Sequence, residues 1–547
     1  MTPPHPAADN DVSSPSALST PRRDFWVLLG LIIGAYAVNL WIPRDLWVQD
    51  EARYGEVLRE MLQSGSWEGW LVPHLNGFTY PDKPPVYFWV VAAVGAVVGQ
   101  GEWAFRLVSF FATAFCVWGV YITARRLDGR DTAFWSSAFF STIFLSLLVG
   151  QIARMDMLLC ASAIFAWYYL LGFRQSGTSD KLAGLWAMIA LGVAIKGPIA
   201  LLFSLAPAAV WMYGSSRWQG LRSLKPLLGM AGLVAMVGIW ISAAVMSGND
   251  AYLQNIWNKQ LVGRAVSSWS HAEPFYFYMM LAPLLFMPWT ALVVKGGIWL
   301  NKARPDHWQS VLAFSLVPLL GISLVSGKLF IYMQPLIPAV CITAGLAVSR
   351  LPRDRLPIWV SLPPVVFLFM LGIVLLWGPG KYLPQTTAHH PVALPLTITG
   401  VLIITLAVTG MLLMWQQRDR WLNGWLGASV VLSWLLFGLA TYHANPLFSA
   451  RDFGAAIANQ ARDKPVGLVN TTRGILNFYA GRIMQELQKN EARQWWMKHP
   501  EALFIIKTGD LRKVFKTSQP ADCRYHQTFT VELKQYHVYQ HCRRQPK

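Results

Sequence analysis

The chain carries few charged residues for its length. Only 14% of its 547 residues are Asp, Glu, Lys or Arg, whereas 54% are hydrophobic and the mean hydropathy is +0.36. Soluble domains average about 25% charged residues, so this composition excludes a soluble multidomain protein and favours a lipid bilayer. The formal net charge is +18, but the basic residues form short clusters between apolar runs. That pattern is typical of loops at a cytoplasmic membrane surface and argues against nucleic acid as a partner.

Cysteine is also scarce, with five residues in the chain. Cys116, Cys160 and Cys341 lie singly inside apolar runs, where a small buried hydrophobic side chain is the ordinary interpretation. Their spacing excludes a cysteine-based metal centre. Cys523 and Cys542 lie in a polar tail, and whether they form a disulfide stays open because sequence alone does not establish the geometry.

Long apolar runs dominate the rest of the chain. A membrane-spanning helix needs about 20 apolar residues. Such runs lie near 25–42, 85–99, 104–124, 132–150, 157–173, 182–194, 197–213, 226–246, 275–296, 308–326, 329–348, 357–377, 393–415 and 421–441. If every run crossed, Arg125, Arg126 and Arg130 would fall outside, against the positive-inside rule. We therefore predict about thirteen crossings and a juxtamembrane helix at 85–99, the weakest candidate.

This topology divides the chain into three parts. Residues 1–24 are predicted to be a disordered cytoplasmic leader without a cleavable signal, and residues 25–442 the transmembrane domain. Residues 43–103 form its first outer loop, with juxtamembrane helices. Residues 443–547 combine helical stretches with the strand-like runs VGLVN, ALFIIKTG and YHVYQHC, which predict a small α/β domain on the outer surface.

Acidic and basic residues gather in the first outer loop. Asp50 and Glu51 begin an amphipathic segment, WVQDEARYGEVLREMLQSG, with Arg53 shortly after them. Acidic residues at a helix N-terminus are also favourable with the helix dipole, so a simple cap is the alternative. Asp82 and Lys83 follow in LNGFTYPDKPPVYFW, where three prolines restrict the backbone. A rigid carboxylate and ammonium at the membrane edge favour a binding site.

Later outer joints supply further charge. GQIARMDMLLC places Arg154 and Asp156 at the start of an apolar run, where an unpaired carboxylate would be costly. The remaining polar residues at these joints are Lys196, Arg264, His271, Glu273, Lys328 and Tyr332. Each basic residue alone is explained by a loop charge or a snorkelling side chain. Together on one side of the bilayer, they match a lipid that bears a phosphate or pyrophosphate.

Five segments together resemble a known family. DEARYGEVLREM, YPDKPPVYFW, ARMDMLLC, IKGP and SGKLFIYMQPLIP look like the GT-C glycosyltransferases of the protein mannosyltransferase superfamily, and most of all the bacterial aminoarabinose transferases of lipid A. The similarity spans the whole chain. It implies an α-helical polytopic GT-C fold with about thirteen transmembrane helices and a periplasmic α/β domain. It also implies transfer of 4-amino-4-deoxy-L-arabinose, or a related amino sugar, from undecaprenyl phosphate to lipid A at the periplasmic face of the bacterial inner membrane.

The resemblance also suggests roles for individual residues. Asp50 and Asp156 match the family's acidic positions, and Lys83 is the first choice for stabilising the departing phosphate, so these three are the predicted catalytic residues. The predicted substrate-binding residues are Arg53, Glu51, Asp82, Arg154, Lys196, Arg264, Lys328 and Tyr332. Close relatives often carry Glu where Asp82 stands, and the shorter side chain argues against metal coordination. A divalent metal ion held by Asp82 or Glu51 with His271 stays an open alternative to a cofactor-free site. We expect a monomer.

Two alternatives change the function. In the first, the chemistry is the same but the acceptor is a protein hydroxyl, an O-antigen or a core sugar. A flippase for a lipid-linked sugar is less favoured, because it needs charges along a path through the bilayer, whereas the mid-span segments are nearly free of charge.

Overall fold

The computed structural model describes residues 21–540 except 37–39, 41, 43, 48, 247–272, 304–307, 351–356, 383–392, 417–418, 470–473, 516–523 and 532–533. Six helices in this part of the chain are long and apolar enough to cross a membrane, or up to eight if each of two bent pairs is one span. The chain is therefore a helical membrane protein. The count of about thirteen crossings stays a prediction.

The membrane region is built from successive helices. Their bounds are Pro21–Tyr36, Gln49–Gln63, Trp67–Leu71, Val86–Val98, Glu102–Asp128, Arg130–Thr142, Phe144–Gln151, Asp156–Ser176, Ser179–Lys196, Ala200–Phe203, Leu205–Ser223, Pro226–Met246, Phe277–Leu285, Thr290–Ala303, Trp308–Leu324, Ile337–Val348, Ile358–Tyr382, Ala393–Trp415 and Asp419–Phe448. A 3₁₀ helix, Phe330–Leu336, directly precedes Ile337–Val348. Residues 21–24 are thus helical and do not belong to a disordered leader, whose other residues lie outside the described part.

The membrane core forms where small residues let helices approach closely. A Cβ on Gly345 would clash with the Ser136 hydroxyl oxygen, so helices Ile337–Val348 and Arg130–Thr142 meet across a glycine. The Trp167 ring stacks on Phe314 with 4.6 Å between centroids. Such van der Waals packing is the main attraction between helices in lipid, which is itself apolar. The packed bundle fixes the ends of the helices that carry charge.

The run at 85–99 forms a helix, Val86–Val98, of 13 residues. At 1.5 Å per residue it is about 20 Å long, too short for a hydrocarbon core of about 30 Å. It packs on helix Glu102–Asp128 and on Gln49–Gln63, which we call the acidic helix. The apolar face of the acidic helix, with Val57 and Met61, is buried in the same cluster. These features support the predicted juxtamembrane position.

The C-terminal region forms a mixed sheet from the strands Val466–Val469 (β3), Gln485–Leu487 (β4), Leu503–Lys507 (β5), Arg524–Val531 (β6) and Lys534–Gln540 (β7). Their order in the sheet is β4-β3-β5-β7-β6, and a separate pair, His74–Leu75 (β1) and Phe78–Thr79 (β2), lies in the first loop. β3 is parallel to β4 and β5, whereas β7 is antiparallel to β5 and β6. Helices Arg451–Ala461, Ile475–Ala480, Ala492–Lys498 and Thr508–Phe515 complete the region. The three strand-like runs of the sequence correspond to β3, β5 and β7, while Cys523 and Cys542 lie outside the described residues.

Candidate active site

Glu51, in the first turn of the acidic helix, is completely buried. Its two carboxylate oxygens accept hydrogen bonds from Arg44 at 2.7 and 2.8 Å, and from the backbone N–H groups of Trp47 at 2.9 Å and Ala153 at 2.6 Å. Arg44 also donates to the carbonyl oxygen of Gln151. Glu51 therefore joins three separate segments at the start of the acidic helix.

These partners keep Glu51 ionised and fully occupied. Burial opposes its charge, but Arg44 and then the two backbone donors outweigh burial and lower its pKa. Four donors and no exposed surface favour a positioning role for this carboxylate, and its predicted contact with the substrate stays a prediction. Arg44 was missed in the sequence, where it lies beside Asp45 in the otherwise apolar segment WIPRDLW.

A chain of ion pairs runs from the acidic helix to the ends of two membrane helices. Arg154 pairs with Asp50 through one guanidinium nitrogen, and its Nε lies 3.1 Å from Asp156 Oδ2. The other oxygen of Asp156 pairs with Lys196. Asp156 begins helix Asp156–Ser176 and Lys196 ends the adjacent helix Ser179–Lys196, where each charge is also favourable with its helix dipole. The predicted residues Asp50, Arg154, Asp156 and Lys196 are thus brought together.

Only one carboxylate of this group is accessible. The Asp50 side chain is 25% exposed, whereas Glu51 and Asp156 have no exposed surface. Arg53 lies beside it, with Nη1 3.1 Å from Asp50 Oδ1, and is 21% exposed. Burial opposes the charge of Asp50, but Arg154, Arg53 and Lys83, in that order, outweigh it and lower the pKa of Asp50. Asp50 is therefore an ionised carboxylate between cations at an open edge.

Lys83 and Asp82 lie in the turn between Tyr80 and helix Val86–Val98. Lys83 acts on Asp50, as its effect on the pKa of that residue indicates. Burial raises the pKa of Tyr80, and Asp82 raises it further. The proline-flanked turn therefore brings Lys83 within electrostatic range of Asp50, and Asp82 within electrostatic range of Tyr80.

Tyr332 and Lys328 come from the segment around the 3₁₀ helix. The Lys196 ammonium lies 4.9 Å from the centroid of the Tyr332 ring, which connects Tyr332 to the ion-pair chain. Lys328 is buried, and its ammonium donates to the carbonyl oxygens of Glu273 at 2.8 Å and Val325 at 2.6 Å. These contacts anchor Lys328 to its own loop and to the segment that precedes helix Phe277–Leu285.

Arg264 and His271, two further predicted site residues, lie outside the described residues. The metal site predicted from Asp82 and His271 therefore stays a prediction. Among the residues that the structure describes, no group of three or more His, Cys, Asp or Glu side chains is arranged to hold a metal ion.

Two tyrosines that the sequence reading missed line the buried side of the ion-pair chain. Tyr54 and Tyr87 are fully buried, and their rings meet edge to face with 5.7 Å between centroids. Burial raises the pKa of both hydroxyls, and Arg154 is the charge that most strongly opposes this for Tyr54. Tyr54 lies four residues after Asp50 and so on the same helix face, a spacing that could have identified it.

Part of the chain matches a known family. Residues 82–242 match the family described as dolichyl-phosphate-mannose-protein mannosyltransferase. This segment contains Asp82, Lys83, Arg154, Asp156 and Lys196. The match therefore covers most of the ion-pair chain and the turn beside it.

Similar proteins include undecaprenyl phosphate-alpha-4-amino-4-deoxy-L-arabinose arabinosyl transferases. The one from Erwinia tasmaniensis is 25% identical over 508 residues, which cover 87% of this chain and 85% of the relative. One from Pseudomonas fluorescens is 29% identical over 353 residues, covering 61% and 59%. The crystal structure of ArnT from Cupriavidus metallidurans bound to undecaprenyl phosphate superposes with a TM-score of 0.75 at 18% identity, covering 95% of this chain and 97% of that one. The chain is therefore similar to these aminoarabinose transferases, and it shares the membrane fold of the ArnT structure.

Proposed function

We propose that this protein transfers 4-amino-4-deoxy-L-arabinose, or a related amino sugar, from undecaprenyl phosphate to lipid A at the periplasmic face of the inner membrane. The observation that carries the proposal is the accessible Asp50 carboxylate, with Arg53 beside it and Lys83 within electrostatic reach. The relatives named above supply the identity of the donor and the sugar.

The leaving group sets the first chemical requirement. When the bond between the sugar's anomeric carbon and the phosphate oxygen breaks, undecaprenyl phosphate departs as an anion, so cations aimed at its oxygens stabilise the transition state. Arg53 pairs with the exposed Asp50 carboxylate, and Lys83 lies within electrostatic range of it. We assign Lys83 to the departing phosphate and Arg53 to a second oxygen of the same group.

Asp50 is suited to orientation rather than to proton removal. A general base works best with a pKa near the working pH, and the cations around Asp50 lower its pKa from an already acidic value. An ionised Asp50 would stabilise the positive charge that develops on the sugar ring as the bond breaks. Asp156 is buried between Arg154 and Lys196, which supports a role in holding those cations and not in contacting the sugar.

The weak basicity of Asp50 favours an acceptor that is already anionic. A lipid A phosphate attacks the anomeric carbon without losing a proton, whereas a protein or sugar hydroxyl needs a base. The new bond joins the acceptor's phosphate oxygen to the anomeric carbon, and the bond to the undecaprenyl phosphate oxygen breaks. A single displacement of this kind inverts the anomeric centre.

A reconstituted transfer reaction tests the proposal. Purified protein in nanodiscs is supplied with undecaprenyl phosphate-linked aminoarabinose and lipid A, and the lipid A product is measured by mass spectrometry. We expect a mass increase of one amino sugar with phosphorylated lipid A and none with dephosphorylated lipid A. Transfer to the dephosphorylated acceptor would contradict the anionic acceptor, and no transfer to either would refute the proposed function.

A further inference from the structure

A polar network connects the C-terminal domain, Arg451–Gln540, to the segment just before the acidic helix. The Asp45 carboxylate accepts from Arg451 Nε at 2.7 Å and from Asn445 Nδ2 at 2.9 Å. Arg451 also pairs with Glu102, the first residue of a long membrane helix. The Tyr479 hydroxyl donates to Glu102 at 3.0 Å and accepts the backbone N–H of Leu46 at 2.7 Å. We call Asp45, Glu102, Asn445, Arg451 and Tyr479 the docking network.

Asp45 of the docking network directly follows Arg44, which pairs with Glu51 and so holds the acidic helix. Arg44 binds Glu51 inside the site, and its neighbour Asp45 binds Arg451 of the C-terminal domain. Asp45 is buried, so the loss of these partners would leave its polar atoms without compensating hydrogen bonds. A shift of the C-terminal domain therefore moves the 44–47 segment, and with it the guanidinium that fixes Glu51.

A second group of contacts joins the C-terminal domain to the acidic helix. The side-chain amide of Asn76 donates to the Met484 carbonyl oxygen at 2.8 Å and accepts from Asn477 at 2.7 Å, while Glu60 of the acidic helix binds the backbone N–H of Gly77 at 3.0 Å. Helix Ile475–Ala480 packs against the acidic helix. The backbone of the two parts approaches so closely that a Cβ on Gly474, whose φ is 84°, would lie 3.0 Å from Arg53 Cα.

We propose that the C-terminal domain positions the acidic helix for transfer, and that Arg451 and Tyr479 are the positioning residues that link the two. None of these side chains touches the reacting atoms in this proposal, which rests on the proposed function. They act by holding Asp50 and Arg53 at the angle set by the Arg44 and Glu51 pair. A displacement of about 1 Å in such a group lowers a reaction rate by as much as about 100-fold.

Two variants of the docking network and one control test the inference. Arg451→Met removes the pairs with Asp45 and Glu102, and Tyr479→Phe removes only the hydroxyl and keeps the ring. Lys489→Met is the control, because the pair of Lys489 with Asp510 lies within the C-terminal domain. The measurements are kcat and KM for the undecaprenyl phosphate-linked sugar, and hydrogen–deuterium exchange of residues 49–63 in the full-length protein.

We expect Arg451→Met to lower kcat about tenfold with a smaller change in KM, and to increase exchange across residues 49–63. Tyr479→Phe should lower kcat about threefold, Arg451→Lys should recover part of the loss, and Lys489→Met should match the wild type in both measurements. A purely structural role would lower the amount of folded protein without changing kcat per folded molecule.

Wild-type kcat and exchange in both Arg451→Met and Tyr479→Phe would overturn the inference. An equal loss in Lys489→Met would also overturn it, because the effect would then arise from the stability of the domain as a whole. If the wild-type protein transfers no sugar, the proposed function fails, whereas the exchange of residues 49–63 in Arg451→Met still supports or overturns the coupling.

Discussion

Replacing Glu51 by Gln tests whether the acidic helix is held by a buried charge. The substitution keeps the shape of the side chain but leaves the Arg44 guanidinium, 10% exposed, without its bidentate partner. In the wild type, N–H donors bind both carboxylate oxygens of Glu51. In the variant, an NH2 group replaces one of these oxygens and faces donors from which it cannot accept a hydrogen bond. Removing one partner of a buried ion pair costs about 3–5 kcal/mol because an uncompensated charge remains. We expect the free energy of unfolding to fall by about this amount.

Equilibrium unfolding in detergent micelles, followed by tryptophan fluorescence, measures this change. The double variant Arg44→Met/Glu51→Gln removes the uncompensated charge, so it should be more stable than Glu51→Gln alone. Asp180→Asn is the control, since its partner Lys181 is at the surface and such pairs contribute little. A wild-type unfolding free energy for Glu51→Gln, or a double variant less stable than Glu51→Gln, would refute the argument.

The structure leads to three further predictions, one on pH and two on substitutions. The pKa values of Asp50 and Glu51 are lowered in the folded protein, so the ionised carboxylates stabilise it above a pH of about 4. This stabilisation should be lost as the pH falls through the folded-state pKa values, and unfolding measured at a series of acidic pH values tests it. Asp156→Asn leaves Arg154 and Lys196 buried beside a neutral group, so thermal unfolding should show a loss of about 3 kcal/mol or more. Gly55→Ala places a Cβ 2.9 Å from the Phe478 ring, so it should increase proteolytic cleavage between the C-terminal domain and the membrane region; unchanged cleavage would contradict that close contact.

The membrane character and the grouping of the site residues could be predicted from the sequence. Apolar runs and basic loops identify spans, and charged residues at the joints stand out because uncompensated charge near lipid is costly. On this basis Asp50, Arg154, Asp156 and Lys196 were placed on one face, and they form one chain of ion pairs in the structure. The juxtamembrane position of the 85–99 run was inferred from loop charges and is supported by the short helix Val86–Val98.

The sequence does not predict which carboxylate is exposed and which is buried. Asp50 and Glu51 are adjacent in sequence, but the helix turns them about 100° apart, so one faces the open edge and the other the buried Arg44. The partners of Glu51 come from residues 44, 47 and 153, and nothing within the acidic helix itself indicates them. The docking network depends in the same way on residues about 400 positions apart, such as Asp45 and Arg451.

The most direct test of the account is sugar transfer by Lys83→Ala. If Lys83 stabilises the departing phosphate, its removal should lower kcat by about 100-fold or more, with unfolding unchanged. The control is Lys181→Ala, which removes a lysine that pairs with Asp180 at the surface. This variant should transfer sugar at the wild-type rate. Transfer by folded Lys83→Ala at the wild-type rate would contradict the assignment of this site to the lipid phosphate.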